Sequence, residues 1–343
     1  MRPVQFAADH AEIRPASVAD QAQILTLMRR VPVLTPVESY RMEREPNPFA
    51  LQAFQGRDSQ LLVAEDAQQL LGLISLNIDR LWLDGEPRLL AYSSELRVLP
   101  EARGRGLGEA LQRASLEACR QNGETIPLFN TVMHSNPVGM RMNRYLGLEA
   151  ISEIQTCFWP TGLAPRHANS SIRRARPADV AEMAALWAEC APKRQLTRVY
   201  APSEWGRADC FPPAQHWLLA QSGSEIVGFV GIWDQRALRQ IQLETAGLAL
   251  RLIGWRPGLA LPLAHCLHLC LRPSARRILP DLLLAALGLA RTLGARLLSL
   301  ALDAQDPLRE WLPRTPGSFG RMSLCASKRP LRPKPFQLEM SLG

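Results

Sequence analysis

Apolar residues recur along this chain with two periods. Ile24, Leu27 and Met28 lie three and four apart, as do Met183, Leu186 and Trp187. Leu107, Ala110, Leu111, Ala114 and Ala118 continue the same spacing, which predicts helices with one buried stripe; Asn122-Gly123 is expected to close the last of them. Between these segments the pattern shortens. Leu62-Val63-Ala64 and Leu218-Leu219-Ala220 each precede a polar turn, Glu65–Gln69 and Gln221–Glu225, and a second apolar run, which predicts β-hairpins. In Tyr92–Val98, Tyr92, Ser94, Leu96 and Val98 alternate with Ser93, Glu95 and Arg97. This predicts a strand with those two sets on opposite faces, ended by Pro100.

The pattern occurs twice. Ile13-Arg14-Pro15-Ala16-Ser17-Val18-Ala19-Asp20 recurs as Ile172-Arg173-Arg174-Ala175-Arg176-Pro177-Ala178-Asp179, each running into a helix. Ser17 with Asp20 three residues on reads as a helix N-cap. Gly72 after the first hairpin turn matches Gly228, and Val98-x-Pro100-x-x-Arg103 matches Leu271-x-Pro273-x-x-Arg276. Each half therefore reads strand, helix, hairpin, strand, helix, strand, short helix, strand. The fold class is α/β (α+β), with domains expected at 1–162 and 172–343 and a linker at 163–171. Val31–Gln60 and Ala237–Pro262 interrupt the repeat. In the tail, the alternation of Phe336, Leu338, Met340 and Leu342 after a basic Pro-rich connector predicts a final strand.

Composition narrows the function. The 343 residues suit two cores rather than one. No run of eighteen apolar residues lacks charge or Pro, so no membrane span is expected. Met1-Arg2-Pro3-Val4-Gln5 has no apolar h-region, so a cytoplasmic chain is expected. The net charge of +8 comes almost entirely from scattered Arg, with only Lys193, Lys328 and Lys334 as lysines, so nucleic acid is not the expected partner. Seven Cys without paired spacing fit buried thiols. His265-Cys266 and His268-x-Cys270 look like ligands, and on a strand Cys266, His268 and Cys270 would share a face. No second ligand pair follows at zinc spacing, so a buried core is expected and no metal.

The chemistry concentrates at 91–123. A strand hands over to a helix N-terminus through a turn rich in Gly and Arg. Unpaired backbone N–H groups and the positive end of the helix dipole face that turn. Gly104, Gly106 and Gly108 permit positive φ and close backbone approach, and Arg103 and Arg105 add charge. The combination suits a pyrophosphate. Neither the Rossmann spacing nor a Walker A Gly-Lys-Ser/Thr is present.

Leu96-Arg97-Val98-Leu99-Pro100-Glu101-Ala102-Arg103-Gly104-Arg105-Gly106-Leu107-Gly108 resembles the acyl-CoA signature of the GNAT acetyltransferase superfamily, with Arg103, Gly106 and Gly108 at its fixed positions. Asn136 resembles the Asn that opens the family's next helix, and Tyr145-Leu146-Gly147-Leu148 that helix's usual ending. The resemblance covers most of Ile13–Trp159 and, more weakly, Ile172–Leu342. It implies two tandem GNAT-like domains, each a mixed, mostly antiparallel twisted sheet flanked by helices. It also implies direct transfer of an acetyl group from acetyl-CoA, or another acyl-CoA, to an amine of a small molecule or peptide. The co-substrate would lie along the backbone of Leu96, Arg97 and Val98. Its phosphates would meet Arg103, Gly104, Arg105, Gly106, Leu107, Gly108 and Glu109, with Asn136 beside them.

Departures from the family leave the proton chemistry open. Glu95 and His134 are candidate bases, with water as an alternative, because Thr131 stands where some members carry Glu. The family's Tyr is replaced by Asn143. Tyr145 is two positions on, nearly opposite on a helix, and Tyr92 or Ser94 would be substitutes. Val31–Gln60, with Tyr40, Arg41, Glu43, Arg44 and Glu45, is expected to wall the acceptor cleft, with help from Ala237–Pro262. The second copy has Arg276-Arg277-Ile278-Leu279-Pro280-Asp281 in place of the glycine turn, so it is expected to bind no CoA. A monomer or homodimer is expected. Alternatives are a non-catalytic CoA-binding or assembly protein and an O-acyl or longer-acyl transferase on the same fold.

Overall fold

The computed structural model describes residues 11–34, 39–121, 124–164, 169–205, 216–245, 258–313, 318–327 and 334–337. Twelve strands form one sheet. The first half supplies β1 (Glu12–Pro15), β2 (Asp58–Asp66), β3 (Gln69–Leu83), β4 (Glu86–Val98), β5 (Leu128–Met133) and β6 (Leu148–Pro160). The second half supplies β7 (Ile172–Arg174), β8 (Trp217–Ser222), β9 (Glu225–Asp234), β10 (Leu263–Leu271), β11 (Leu297–Asp303) and β12 (Ser318–Ser327). Helices α1 (Gln21–Arg30), α2 (Leu107–Ala118) and α3 (Pro137–Tyr145) belong to the first half, and α4 (Val180–Cys190) and α5 (Leu279–Thr292) to the second. A short 3-10 helix, Pro307–Trp311, stands where α3 has no longer counterpart. The element order is the one the repeat predicts, and the fold is mixed α/β with two GNAT-like halves.

The spatial order is β1-β2-β3-β4-β5-β12-β6-β11-β10-β9-β8-β7. Adding six to each strand number of the first half reproduces the second half in reverse, so the sheet has a pseudo-twofold at the antiparallel β6–β12 pair. The last strand of each half lies beyond the midline: β12 inserts between β5 and β6, and β6 pairs with β11. Neither half completes its sheet with its own strands. The expected linker is held rather than loose where it is described, since the Asn169 side-chain amide donates to Asp281 at 2.7 Å.

The repeat is visible at atomic level. Arg14 forks onto Asp20 at 2.8 Å, and Arg173 onto Asp179 at 2.7 Å. Each carboxylate also accepts the backbone N–H three residues earlier, from Ser17 and from Arg176, as a helix-opening cap requires. The guanidinium holds the Asp20 carboxyl well below the usual range and lowers Asp179 to about 2. Helical stripes are buried as the spacing demands: Ile24, Leu27 and Met28 on α1, and Met183, Leu186 and Trp187 on α4. Full burial of one such side chain contributes roughly 2 kcal/mol.

Two sequence expectations about strand faces fail for one reason. β4 bulges at Glu95 and β10 at His268, where the backbone turns left-handed, φ 55° and 51°. An extra residue at a bulge shifts the alternation that follows it. Ser93 accordingly meets Gln112 of α2, and Leu96 and Val98 pack on the same helix-side core. Tyr92 packs instead with Phe129 and Ile154 on the other side, so it does not share the face of Val98. Likewise Cys266 and Cys270 join different cores rather than one face.

Asn122-Gly123, the basic run and the last residues of the tail lie outside the described residues. The described part of the tail is a single parallel bridge, Phe336 to Gln195. Six cysteines are described, all buried and free. No helix among the described residues is long and apolar enough to cross a membrane.

Candidate acyl-CoA site

Among the described residues only two strand pairs in the sheet are parallel, β4–β5 and β10–β11, and each pairs for three residues. The first runs from Ala91↔Leu128 to Ser93↔Asn130, then the strands diverge. The bulge at Glu95 is the cause on the β4 side, because it bends and twists the strand away from its neighbour. Beyond Ser93, β4 stays paired to β3 through Leu73↔Arg97 and Gly72↔Val98. Its other edge, carrying Leu96 and Val98, faces the split. Such an edge offers backbone N–H and C=O groups to an extended ligand. Gly72 keeps β3 and β4 close there, since a Cβ would stand 2.8 Å from the Arg97 carbonyl oxygen.

The glycine turn lies at the outer end of this edge. Pro100–Ala102 form a 3-10 turn, and Gly104 and Gly106 take φ 81° and 76°, with Gly106 the residue before α2. An added Cβ at either would meet nothing within 4 Å, so glycine is needed there for its backbone and not for space. Gly108 has Leu96, Val98 and Met142 at 3.9–4.0 Å from a built Cβ, ordinary contact. Leu107 is buried and anchors the turn to the core. Arg103 is exposed, its Nε 3.4 Å from the Val98 carbonyl oxygen, and Arg105 meets Asp66 at 3.2 Å. Glu109 pairs along the helix with Arg113 at 2.8 Å. Across the split, Asn136 caps α3 by accepting the Gly139 N–H at 2.9 Å. The turn thus presents helix N–H groups and two guanidinium groups at one mouth of the split.

At the inner end, the Glu95 side chain is 3% exposed and meets Arg44 at 2.7 Å. Burial would raise its pKa, but Arg44, Arg97 and Arg239 together hold it below the ordinary carboxylate value. Arg44 comes from the first insertion, Arg239 from the second. The insertions meet directly, with Ser39–Glu43 pairing antiparallel to Gln240–Thr245 and Arg41 bridging Glu244 at 2.9 Å. Sequence spacing gives no hint of Arg239 here, because it sits in the other half and carries no motif.

The three candidate proton carriers are not brought together. Glu95 is buried under the insertions. His134, exposed, follows β5 and lies 3.6 Å from Glu153. Tyr145 is 66% exposed, with the Arg113 guanidinium 5.4 Å from its ring centre. Asn143, where the family's Tyr would stand, is instead buried and exchanges two amide hydrogen bonds with Asn130, at 2.8 and 3.0 Å, which fasten α3 to β5. A different phenol sits where the split begins. The Tyr92 hydroxyl is 2.6 Å from that of Thr131, and burial pushes its pKa up to about 12, so it stays protonated.

The second half repeats the geometry with other chemistry. β10 and β11 diverge after His265↔Ser299, and Gly228 stands where Gly72 does. At the bulge, His268 meets the Tyr200 hydroxyl at 2.6 Å among Trp187, Trp217 and Tyr200, and burial drives its pKa well down. His265 is buried against Ser299 and also neutral, its pKa lowered to about 3. Among the described residues no group of three or more His, Cys, Asp or Glu is placed to hold a metal ion. Arg276–Ile278 continue a 3-10 turn straight into α5, and Leu279 has φ −56° where Gly106 has 76°. The split is filled from within: the Gln195 N–H donates to Pro335 and the Phe336 N–H to Asp303. A cavity of about 180 Å³ remains beside it, lined by Trp187, Cys190, Leu269, Leu271 and Arg276.

Residues 26–147 match the acetyltransferase (GNAT) family. No curated protein matches the chain by sequence. In fold it is similar to Saccharomyces cerevisiae N-myristoyltransferase with bound myristoyl-CoA, at TM-score 0.67 and 12% identity over 97% of this chain and 82% of that one. A GCN5-related N-acetyltransferase from Sphaerobacter thermophilus gives 0.57 and 17% over 98% and 99%. A GCN5-related glucosamine N-acetyltransferase region of a fungal multi-domain β-N-acetylglucosaminidase gives 0.64 and 12% over 92% of this chain and 37% of that one. The family match falls on the glycine turn and the split sheet around it, so residues 26–147 are similar to the GNAT family in sequence and the whole chain is similar to its acyltransferases in fold.

Proposed function

We propose that this protein is an acetyl-CoA-dependent N-acetyltransferase that acts on an amine of a small molecule or peptide by direct transfer. One observation carries the reading: the parallel split between β4 and β5 has a free β4 edge on one side and the positive-φ glycine turn at its mouth. In this reading pantetheine lies along Leu96–Val98 as an extra strand. The Val98 N–H polarises the thioester carbonyl, and Arg103–Glu109 receive the pyrophosphate beside Asn136. The amine nitrogen attacks the thioester carbon, a C–N bond forms, the C–S bond breaks and the thiolate leaves. Tyr92, protonated and at the start of the split, is the proton donor we assign to that thiolate. Glu95, paired with cations and of lowered basicity, holds the site's charge rather than taking the amine's proton. His134, exposed just past the end of β5, is the remaining base. We place the catalytic unit at 1–162 and a supporting unit at 172–343.

Calorimetry with acetyl-CoA, followed by thiol release with an amine panel, tests this. Micromolar binding that Gly106→Asp abolishes supports it, and no binding of any acyl-CoA overturns it. A second reading, transfer of a longer acyl group, draws on the fold's likeness to the myristoyl-CoA complex. Faster turnover with myristoyl-CoA than with acetyl-CoA would select it.

A further inference from the structure

We propose that Cys190 and Cys270 form a dithiol site in the second half, which a small peroxide oxidises to a reversible disulfide. Cys190 is the last residue of α4, and Cys270 lies two residues past the bulge of β10. Both belong to one apolar core, with Leu186 and Trp187. Their thiols cross the interface between helix and strand. Cys190 Sγ donates to the Leu271 carbonyl at 3.8 Å, next to Cys270. Cys270 Sγ donates to the Leu186 carbonyl at 3.7 Å, one turn before Cys190. The two thiols are also in hydrogen-bond contact with each other. Sulfurs already in contact across packed elements need little backbone movement to join. Cys119, Cys157, Cys266 and Cys325 are buried with no second thiol in such contact.

Both residues line the cavity of about 180 Å³, whose lining runs out to Lys193, a side chain 53% exposed. A space of that size admits molecules as small as water or hydrogen peroxide. The two thiols are unequal. Hydrogen bonding to Cys270, with Lys193 and Arg272 nearby, draws the Cys190 pKa below the ordinary thiol value. Burial, and then the contact with Cys190, pushes that of Cys270 well up. Cys190 is therefore the attacking thiolate and Cys270 the resolving thiol. The Cys190 sulfur attacks one peroxide oxygen, the O–O bond breaks, and the departing hydroxide takes a proton to become water. The Cys270 sulfur then attacks the sulfenic sulfur of Cys190. An S–S bond forms, the S–O bond breaks, and the hydroxyl leaves with the Cys270 proton as a second water. Two electrons pass from the sulfurs to the peroxide. The new bond ties the end of α4 to β10, in the half that lacks the glycine turn, so this chemistry is independent of acyl transfer.

The test treats the reduced full chain with hydrogen peroxide and maps disulfides by mass spectrometry of unreduced peptides. A Cys190–Cys270 linkage is expected, with loss of two hydrogens from the intact mass and full reversal by dithiothreitol. Cys270→Ala is expected to stop the reaction at the sulfenic acid, which dimedone traps on Cys190. The map of the unsubstituted protein decides the matter even where that variant does not fold. No linkage in the native protein, linkage only in urea that unfolds it, or linkage through any other cysteine overturns the proposal. So does irreversible oxidation of Cys190 without linkage, or a dimedone adduct of the variant on a different cysteine.

Discussion

Glu95 and His268 occupy the same place in the two halves, three residues before the end of a strand that bulges away from its parallel neighbour. Both take a left-handed backbone, φ 55° and 51°, which a non-glycine residue adopts at a cost of order 1–2 kcal/mol. Around Glu95 stand three arginines, and the split beyond it is lined by a free strand edge. Around His268 stand tryptophans and a tyrosine, and the split beyond it is filled by Pro335–Gln337. The backbone device is therefore separable from its chemistry. One copy holds it beside charge; the other holds the same backbone in an apolar core with a neutral histidine.

The comparison can be broken most severely by separating the halves. Residues 1–164 alone lack β12, which lies between β5 and β6, and β11, which pairs with β6, so three exposed edges would replace three ladders. The fragment is expected to show no cooperative urea transition, and a native-like transition would mean each half folds alone. Next in size is the bulge pair itself. Glu95→Gln breaks a buried ion pair with Arg44 and should lower stability by roughly 3–5 kcal/mol. His268→Gln removes one hydrogen bond between neutral groups and should cost roughly 1–2 kcal/mol. Equal losses in urea melts would show that the two sites are electrostatically alike.

Smaller still is the exchange at the turn. Gly106→Leu, the residue the second half has there, forces a branched side chain to φ 76°, at about 1–2 kcal/mol, so acetyl-CoA affinity should fall about fivefold to thirtyfold. Leu279→Gly should give the second half no CoA binding, because its turn runs directly into α5. The smallest effect is one where the halves should agree. Folding lowers the pKa values of Asp20 and Asp179, so each contributes stability that is complete above the unfolded value near 4 and fades as pH falls towards 2. Asp20→Asn and Asp179→Asn should both destabilise at pH 6, and both differences from the unsubstituted protein should shrink between pH 4 and pH 2.5.

Much of the fold was legible because its signals are local. Ile24, Leu27 and Met28 mark a helix face, the Ile13 and Ile172 repeats mark two copies, and Gly104 and Gly106 mark a turn that only glycine makes cheaply. The bulges were not legible. Tyr92–Val98 alternates cleanly in sequence, and no residue type in it demands a left-handed Glu95, so Tyr92 was placed on the wrong face. The same shift parts Cys266 from Cys270.

The sequence by itself determined the elements, their order, the duplication and the glycine turn, since each depends on residues a few positions apart. Tertiary structure alone decided the exchange of β6 and β12, the pairing of the two insertions, and the gathering of Arg44, Arg97 and Arg239 around Glu95. Those depend on which distant segments bury one another, and a buried charge's partners are fixed by that burial and not by its neighbours in the chain.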